Sequence, residues 1–413
     1  MKQIILTLAA AVSVMAASGQ GTGVLDRYYI DGLIYEKTSE TTVSCAGAFD
    51  DGVKKVVIPE TINADGTVFT VIGISDRAFY QNYSLSSITI PKTIESISED
   101  AFATGSSNIS VYISDLAAWC KIDFENKYAN PLSEGGDSKL YVNGVLVTDL
   151  KIPDGITEIK PYSFCGFDSM ASLTIPSSVA TIGTGAFSGC SGLTSLTIPN
   201  SVTTIGGIAF SGCSGLTSLT IPNNVTTIGN SAFSSCGLVS IVIPNSITTI
   251  SLGTFNGCYH LESVTIGSKV ILIEDAAFLE CKKISGIKMF SSNPPEAFIG
   301  QNVWGTFDYH IFENAVLSVP TGSLGAYKSA EVWKEFKNIQ EKDFGGVDGV
   351  ENDAVSVTAK GGSIEISGAG NAPVEVYNLS GQLVYSGTET TVGGLARGIY
   401  IVRVAGHTFK VAL

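Results

Sequence analysis

Histidine, tryptophan and charged side chains are scarce in this chain of 413 residues, which contains three histidines and three tryptophans. None of the histidines (His260, His310 and His407) belongs to a recognisable nucleophile or metal-binding motif. The chain also lacks a Cys-x-x-Cys pair and a Gly-x-Ser-x-Gly turn, which commonly mark zinc sites and serine hydrolases. We therefore predict a protein that is not an enzyme and has no catalytic residue, cofactor or bound metal ion.

Positive charge and long apolar runs are also in short supply. Lys and Arg number 24 against 38 Asp and Glu, which gives a formal net charge of −14. Because no local basic stripe offsets it, this balance repels phosphate backbones and argues against nucleic acid as a partner. A membrane-spanning helix needs about 20 apolar residues, and we predict no transmembrane segment in the mature chain.

The N-terminus has the composition of an export signal. A positive start at Met1-Lys2 precedes an apolar run from Ile4 to Ala17, and small residues follow at Ser18-Gly19. We predict a signal peptide over residues 1–19 and an exported protein that resides on the outer cell surface or in the extracellular space.

The dominant feature that is present is a repeat of about 23 residues, in which Ile-Pro pairs recur at steps of 23, 23, 23 and 22 residues. These pairs are Ile152-Pro153, Ile175-Pro176, Ile198-Pro199, Ile221-Pro222 and Ile243-Pro244. In one copy, Leu196 and Ile198 alternate with Ser195 and Thr197. This alternation predicts a strand with two apolar side chains facing the core and two hydroxyls facing outward.

The second half of each copy also has a periodic core pattern. Val202 and Ile205 form another inward pair, Gly206 permits a sharp corner, and Phe210 and Cys213 fill the turn that follows. A single copy cannot bury its own apolar face, so the copies must stack on one another. The sequence therefore predicts a mainly β fold, a solenoid of coils of about 23 residues.

The pattern Leu-x-x-Leu-x-Ile-Pro … Val-x-x-Ile-Gly … Ala-Phe-x-x-Cys resembles the BspA-like leucine-rich repeats of bacterial and protozoan surface proteins. The resemblance covers residues 53–288 and implies a leucine-rich-repeat solenoid, with an N-terminal cap over 20–52. Residues 104–150 interrupt the period and resemble an insertion common among bacterial members. Residues 289–343 resemble the C-terminal capping unit of the family.

The C-terminal part has a different pattern. Residues 344–350 are expected to form a linker, and residues 351–413 contain short alternating strands that predict a small β-sandwich. This region resembles the C-terminal sorting domain of type IX secretion, through Tyr377, Gly381, Leu395, Gly398, Tyr400 and Lys410. The resemblance implies that a secretion machinery carries the chain across the outer membrane, followed by release or attachment to the surface.

Five of the eight cysteines lie three residues after a repeat phenylalanine. They are Cys190, Cys213, Cys236, Cys258 and Cys281. We predict that they stack as a buried column of free thiols. The other three, Cys45, Cys120 and Cys165, lie off this register, and a Cys45–Cys120 disulfide stays open as an alternative.

Two groups of residues are candidates for ligand binding. In the resembling family, the outer face of the strands is the usual ligand face, where this chain presents hydroxyls in Ser-x-Thr pairs: Ser172, Thr174, Ser195, Thr197, Ser218 and Thr220. Such residues also simply suit a strand surface. The insertion contributes the larger side chains of Tyr112, Trp119 and Tyr128, and removal of residues 106–135 is expected to abolish binding before it destabilises the solenoid.

These features suggest a surface protein that mediates adhesion or another protein–protein interaction, with host extracellular matrix or other cells as partners. The alternative is a surface glycan-binding protein, which would need exposed Trp or Tyr side chains that the regular strands lack. A third hypothesis, a glycan-acting enzyme, would need a pair of carboxylates in one cleft.

Overall fold

The computed structural model describes residues 26–106, 108–133, 136–298, 305–344, 356–360, 362–367, 373–378, 381–404 and 407–413. The predicted signal peptide, linker residues 345–350 and Trp304 lie outside this part of the chain. Two compact units are present. The first runs to Thr217 and also takes in Thr227–Leu238 and Ser251–Tyr259; the second comprises Ser218–Thr226, Val239–Ile250 and His260–Leu413.

Each regular coil contributes a front strand, which ends just before the Ile-Pro pair, and a back strand, which ends at the isoleucine before the corner glycine. In the first unit, one parallel front sheet contains Asp149–Lys151, Ser172–Thr174 and Ser195–Thr197. The matching parallel back strands are Glu158–Ile159, Thr181–Ile182, Thr204–Ile205 and Thr227–Ile228. The predicted solenoid of short parallel strands is therefore confirmed.

The core of the regular coils is built as predicted. Leu196, Ile198, Val202 and Ile205 are buried. The repeat phenylalanines form a stack of nearly parallel rings with centroids 5.4–5.8 Å apart, namely Phe164, Phe187, Phe210, Phe233 and Phe255. Each ring therefore packs against the equivalent ring of the neighbouring coil, and a coil without neighbours would expose it.

Gly206 has a different role from the one predicted. Its φ is not in the left-handed region, so the corner itself does not require glycine. A Cβ at this position would lie 2.6 Å from the Thr184 nitrogen of the preceding coil. Gly183 and Gly229 show the same close approach, with backbone atoms at 2.6 and 2.4 Å. Glycine is needed because the backbones of successive coils nearly touch here.

The N-terminal cap is a set of longer strands that covers the first back strands. Its strands are Arg27–Ile30, Leu33–Lys37, Thr42–Ala48, Thr61–Ala64 and Thr67–Ile74, followed in the same sheet by Ser96–Ile97 and Asp123–Phe124. The first three pair antiparallel, and Thr42–Ala48 then pairs parallel to Thr67–Ile74. An antiparallel hairpin, Arg27–Ile30 with Leu33–Lys37, thereby forms the outer end of the back ladder.

Residues 104–150 depart from the 23-residue period of the sequence, but the chain still follows the path of a coil. A second front sheet of the first unit contains Lys55–Val57, Ser87–Thr89, Ser110–Ile113, Lys139–Val142 and Val145–Leu146. All neighbours pair in parallel except the final hairpin. Because Ser110–Ile113 and Asp123–Phe124 join the front and back ladders, the predicted insertion is a longer coil within the stack.

The second unit repeats this architecture. Its parallel front strands are Ser240–Ile243, Ser263–Ile266, Gly286–Met289, Val316–Pro320 and Asn338–Lys342. Its back strands are Thr249–Ile250 and Leu272–Ile273. The last two front strands belong to the predicted C-terminal cap, so this segment extends the ladder. Tyr327 and Trp333 are buried in it and donate to the carbonyls of Ser291 and Pro295.

Helices are few and short in the described residues. The α-helices are Leu116–Trp119, Tyr309–Asn314 and Leu324–Ser329, and the 3-10 turns are Lys127–Ala129 and Trp333–Glu335. No helix of this part of the chain is long and apolar enough to cross a bilayer.

Two antiparallel sheets form the C-terminal region. One contains Ser356–Lys360, Ser363–Ser367 and Thr391–Val392; the other contains Leu383–Gly387, Val374–Asn378, Ile399–Val404 and His407–Ala412. Apolar side chains of both sheets share one core, which is the arrangement of a β-sandwich, as predicted.

Candidate functional site

The hydroxyl pairs of two regular coils are aligned on the front face. Ser172 lies opposite Ser195 and Thr174 opposite Thr197 in the parallel register. Thr174, Ser195 and Thr197 are exposed, whereas Ser172 is half-buried and donates to Asp149 Oδ1 at 2.5 Å. These two coils offer small hydroxyls, and the neighbouring strand adds the exposed side chains of Asp149 and Lys151 to the same rows.

Ser218 and Thr220 do not continue this array as a strand. Both are exposed, but the segment around them has no strand conformation and belongs to the second unit. The regular sequence pattern therefore overstates the length of the ordered hydroxyl array.

Larger side chains line the front sheet that begins at Lys55–Val57. The parallel and hairpin registers place Val57, Thr89, Tyr112, Tyr141 and Leu146 in one outward row, which we call the tyrosine row. The two tyrosine rings stack with centroids 4.7 Å apart and planes inclined by 14°. Val57 is 54% exposed and Leu146 41% exposed, so the two ends of the row are apolar and open.

The adjacent outward row on the same strands is polar. It consists of Lys55, Ser87, Ser110 and Lys139. Lys139 Nζ lies 2.7 Å from Asp137 Oδ2, and this hydrogen bond raises the pKa of Lys139. The face therefore combines an apolar and aromatic row with a hydroxyl row that has a lysine at each end.

Tyr112 is the one residue of the predicted aromatic group that lies on this face. Trp119 was expected in a binding surface, but it is 1% exposed and its Nε1 donates to the Ser163 carbonyl at 2.9 Å. Tyr128 is partly exposed on a 3-10 turn, with Lys127 Nζ 4.3 Å from its ring centroid. The aromatic side chains of the insertion therefore do not form one site.

Burial of Trp119 also overturns the expected effect of removing residues 106–135. The segment supplies buried Ile122 and Phe124 as well as Trp119. Asn130 Nδ2 donates to the carbonyls of Tyr162 and Ser163 at 2.7 and 2.9 Å. Removal of residues 106–135 would eliminate buried core side chains and strand pairing together, so binding and stability would be lost at the same time.

Tyr141, Leu146 and Val57 were missed as candidate binding residues by the sequence reasoning. The alternation of Leu140, which is buried, with Tyr141 is the local signal that could have identified Tyr141. The alignment of the row depends on pairing between coils of unequal length, which spacing alone does not give.

Four of the five cysteines predicted to stack, Cys190, Cys213, Cys236 and Cys258, form a thiol column within the first unit. All eight are free and buried, so the Cys45–Cys120 pair is not bridged. In the first unit each column thiol donates to the carbonyl of a phenylalanine in the preceding coil, at 3.2–3.3 Å: Cys190 to Phe164, Cys213 to Phe187, Cys236 to Phe210 and Cys258 to Phe233. These thiols are core packing groups with a weak donor function.

Native protein is expected to give no rapid reaction with a thiol reagent at pH 8, and eight equivalents after denaturation. Burial raises the pKa of Cys45 to about 12 and that of Cys165 to about 11, so the reactive thiolate is scarce in the folded state. Unfolded thiols ionise near pH 8.5. The stability linked to keeping these thiols protonated is therefore fully present below about pH 8.5 and is lost as the pH rises toward 11–12. Fast labelling of any column thiol in native protein would contradict this assignment.

In the described part of the chain, no three His, Cys, Asp or Glu side chains converge as metal ligands. His260 Nδ1 lies 3.4 Å from Lys283 Nζ at an exposed position. His310 lies on the helix Tyr309–Asn314.

The residues that carry the resemblance to a sorting domain lie within the β-sandwich. Tyr400 is buried and donates to the Ala396 carbonyl at 2.8 Å, and Gly398 exchanges backbone hydrogen bonds with Leu413. Gly381 has φ +81° in a turn, and Leu395 packs against the core. The Arg403 guanidinium lies over the Tyr377 ring at 5.2 Å. Lys410 lies in the last strand, where its backbone pairs opposite Ile401.

A family model matches the repeats of this chain, and several solved structures show similarity to it. A model of the BspA type leucine-rich repeat region matches residues 53–124, 137–260 and 182–303, with six copies. A solved leucine-rich repeat protein from Bacteroides ovatus is 19% identical, with a TM-score of 0.41 and coverage of 76% of this chain and 100% of that one. A leucine rich cell surface protein from Faecalibacterium prausnitzii is 20% identical, with a TM-score of 0.37 and coverage of 78% and 96%.

The pneumococcal vaccine antigen PcpA is 16% identical, with a TM-score of 0.35 and coverage of 78% of this chain and 98% of that one. A search of curated protein sequences found no match. The family model covers more than half of the chain, and its matches coincide with the stacked coils. The chain therefore belongs to the BspA-type leucine-rich repeat family.

Proposed function

We propose that this chain is an exported, cell-surface or secreted binding protein that recognises another protein through the tyrosine row. The observation that carries the proposal is the alignment of Tyr112 and Tyr141 between the exposed apolar side chains of Val57 and Leu146. Aromatic anchors within an apolar row are typical of the residues that dominate protein–protein binding energy. Membership of the BspA-type repeat family supports the same function class.

The ring geometry favours a protein partner over a glycan. A sugar ring binds an aromatic residue by lying flat on a free face, but the two tyrosines stack on each other at 4.7 Å. The outer neighbours in the row are Thr89 and Leu146. Ring edges and hydroxyls are therefore presented outward, and these suit the mixed polar and apolar surface of a protein.

Adhesion to host extracellular matrix or to other cells is the form of binding that we propose. The export signal at residues 1–19 and the resemblance of residues 351–413 to a type IX sorting domain support display on the outer surface. Many copies on one cell would raise a modest affinity for each site by multivalency. The secretion machinery would then be a second partner, engaged by the C-terminal sandwich.

The double variant Tyr112→Ala/Tyr141→Ala is expected to weaken partner binding about 30-fold or more, because two anchors of about 1–2 kcal/mol each are removed. A screen of the purified mature protein against matrix proteins and a glycan array identifies the partner, and surface plasmon resonance measures affinity. The matched control is Thr174→Ala/Thr197→Ala on the neighbouring front sheet. Undiminished binding by the tyrosine variant, or loss in the threonine variant alone, would contradict the proposed site.

A further inference from the structure

The front sheet that carries the tyrosine row has an open edge. Its strand order ends at Lys55–Val57, whereas the N-terminal cap pairs with the back ladder through Thr42–Ala48 and Thr67–Ile74. Within the part of the chain that the structure describes, no strand pairs with the outer side of Lys55–Val57. Exposed strand edges are templates for the addition of another strand.

The backbone groups on this edge are oriented for pairing. The Lys54 carbonyl accepts from Ser87 N at 3.1 Å, and Ile58 N donates to the Thr89 carbonyl at 3.1 Å. Alternate residues of a parallel strand direct their backbone groups to opposite neighbours. The N–H and C=O groups of Lys55 and Val57 therefore point away from the sheet, and none of the described residues bonds to them on that side.

Charge identifies the kind of strand that fits this edge. Lys54 and Lys55 are both exposed and adjacent, in a chain with a formal net charge of −14. Two copies of this chain meeting edge to edge would bring four lysines together, and like charges across a strand pair are destabilising. An acidic strand would instead place its carboxylates beside these ammonium groups.

We propose that the edge strand Lys55–Val57 accepts an extended, acidic segment of the partner protein by β-strand addition. Main-chain hydrogen bonds to Lys55 and Val57 provide the pairing. Carboxylates of the added strand meet Lys54 and Lys55, and its residue beside Val57 extends the tyrosine row by one position. This inference rests on the proposed function, because the same sheet face forms the rest of the interface.

The test uses a fluorescein-labelled octapeptide with the sequence Glu-Val-Glu-Thr-Glu-Val-Glu-Thr, titrated with the full mature chain at low salt and followed by anisotropy. Saturable binding is expected, and it should weaken as ionic strength rises. Val57→Pro removes an outward N–H that carries no ladder bond, so it should weaken binding at least tenfold with an unchanged melting temperature. Val57→Thr keeps the N–H, so any weakening that it causes should be much smaller than that caused by Val57→Pro.

Lys55→Glu should also weaken binding at least tenfold, whereas Lys121→Glu, an exposed lysine away from this edge, should not. A peptide with lysine in place of glutamate should not bind. Absence of saturable binding, equal binding of both peptides, or equal binding by Val57→Pro in a folded variant would each overturn the inference. If the natural partner then still requires Tyr112 and Tyr141, the proposed function stands without strand addition.

Discussion

Replacement of Phe210 by alanine is expected to lower the free energy of unfolding by about 3–5 kcal/mol, the usual cost of removing a fully buried aromatic ring. Phe210 lies between Phe187, with centroids 5.4 Å apart, and Phe233, at 5.6 Å. The substitution removes contacts with both neighbouring coils at once. Because the coils depend on each other for burial, the cavity weakens the stack on both sides.

Urea denaturation followed by circular dichroism measures this loss. The matched control is Phe49→Ala, since Phe49 is 56% exposed and stacks on Tyr29 at the surface. The control is expected to cost no more than about 1 kcal/mol. Equal destabilisation by the two variants would show that the ring stack is not the main support of the coils.

Gly229→Ala is expected to destabilise the first unit by about 3 kcal/mol. This value lies at the upper end of the usual cost of inserting an extra group into a packed core. The new Cβ would lie 2.4 Å from Gly207 N and 2.8 Å from the Gly206 carbonyl carbon. These are backbone atoms of the preceding coil, so no side-chain rotation can relieve the clash. The coils would have to separate locally, with loss of ladder hydrogen bonds.

Gly286→Ala is the control for this second prediction. Gly286 has an ordinary φ, and a methyl group added there would meet no atom within 4 Å other than those of the adjacent residues. Alanine at this position should change the midpoint of unfolding little or raise it slightly, because it reduces the freedom of the unfolded chain. A similar loss of stability in both variants would mean that contact between coils is not what makes Gly229→Ala costly.

The regular coils were predictable because one period governs both sequence and contacts. With a step of 23 residues, Leu196 must stack beside Leu173, and Phe210 beside Phe187, as the registers and ring distances confirm. The inward positions follow from local alternation. The short alternating strands expected in the C-terminal sandwich also emerge, for example Val374–Asn378.

The long coil was harder to predict because its contacts are not periodic. Trp119 was named as a candidate binding residue, yet it is buried and its N–H donates to the Ser163 carbonyl 44 positions away. Tyr141 joins the tyrosine row through pairing with Ser110–Ile113, across a segment whose length differs from that of every regular repeat. Gly206 was assigned to a sharp corner because the sequence of a single repeat does not show that the backbone of the preceding coil excludes a side chain there.

The free thiols of the column constrain how the protein can fold outside the cell. If the chain is exported as proposed, it meets an oxidising compartment with eight cysteines and no native disulfide to form. Folding must then be faster than thiol oxidation, because a non-native disulfide between two coils would hold them in a wrong register. Once the coils have closed, the same packing that stabilises them shields the sulfur atoms from oxidants.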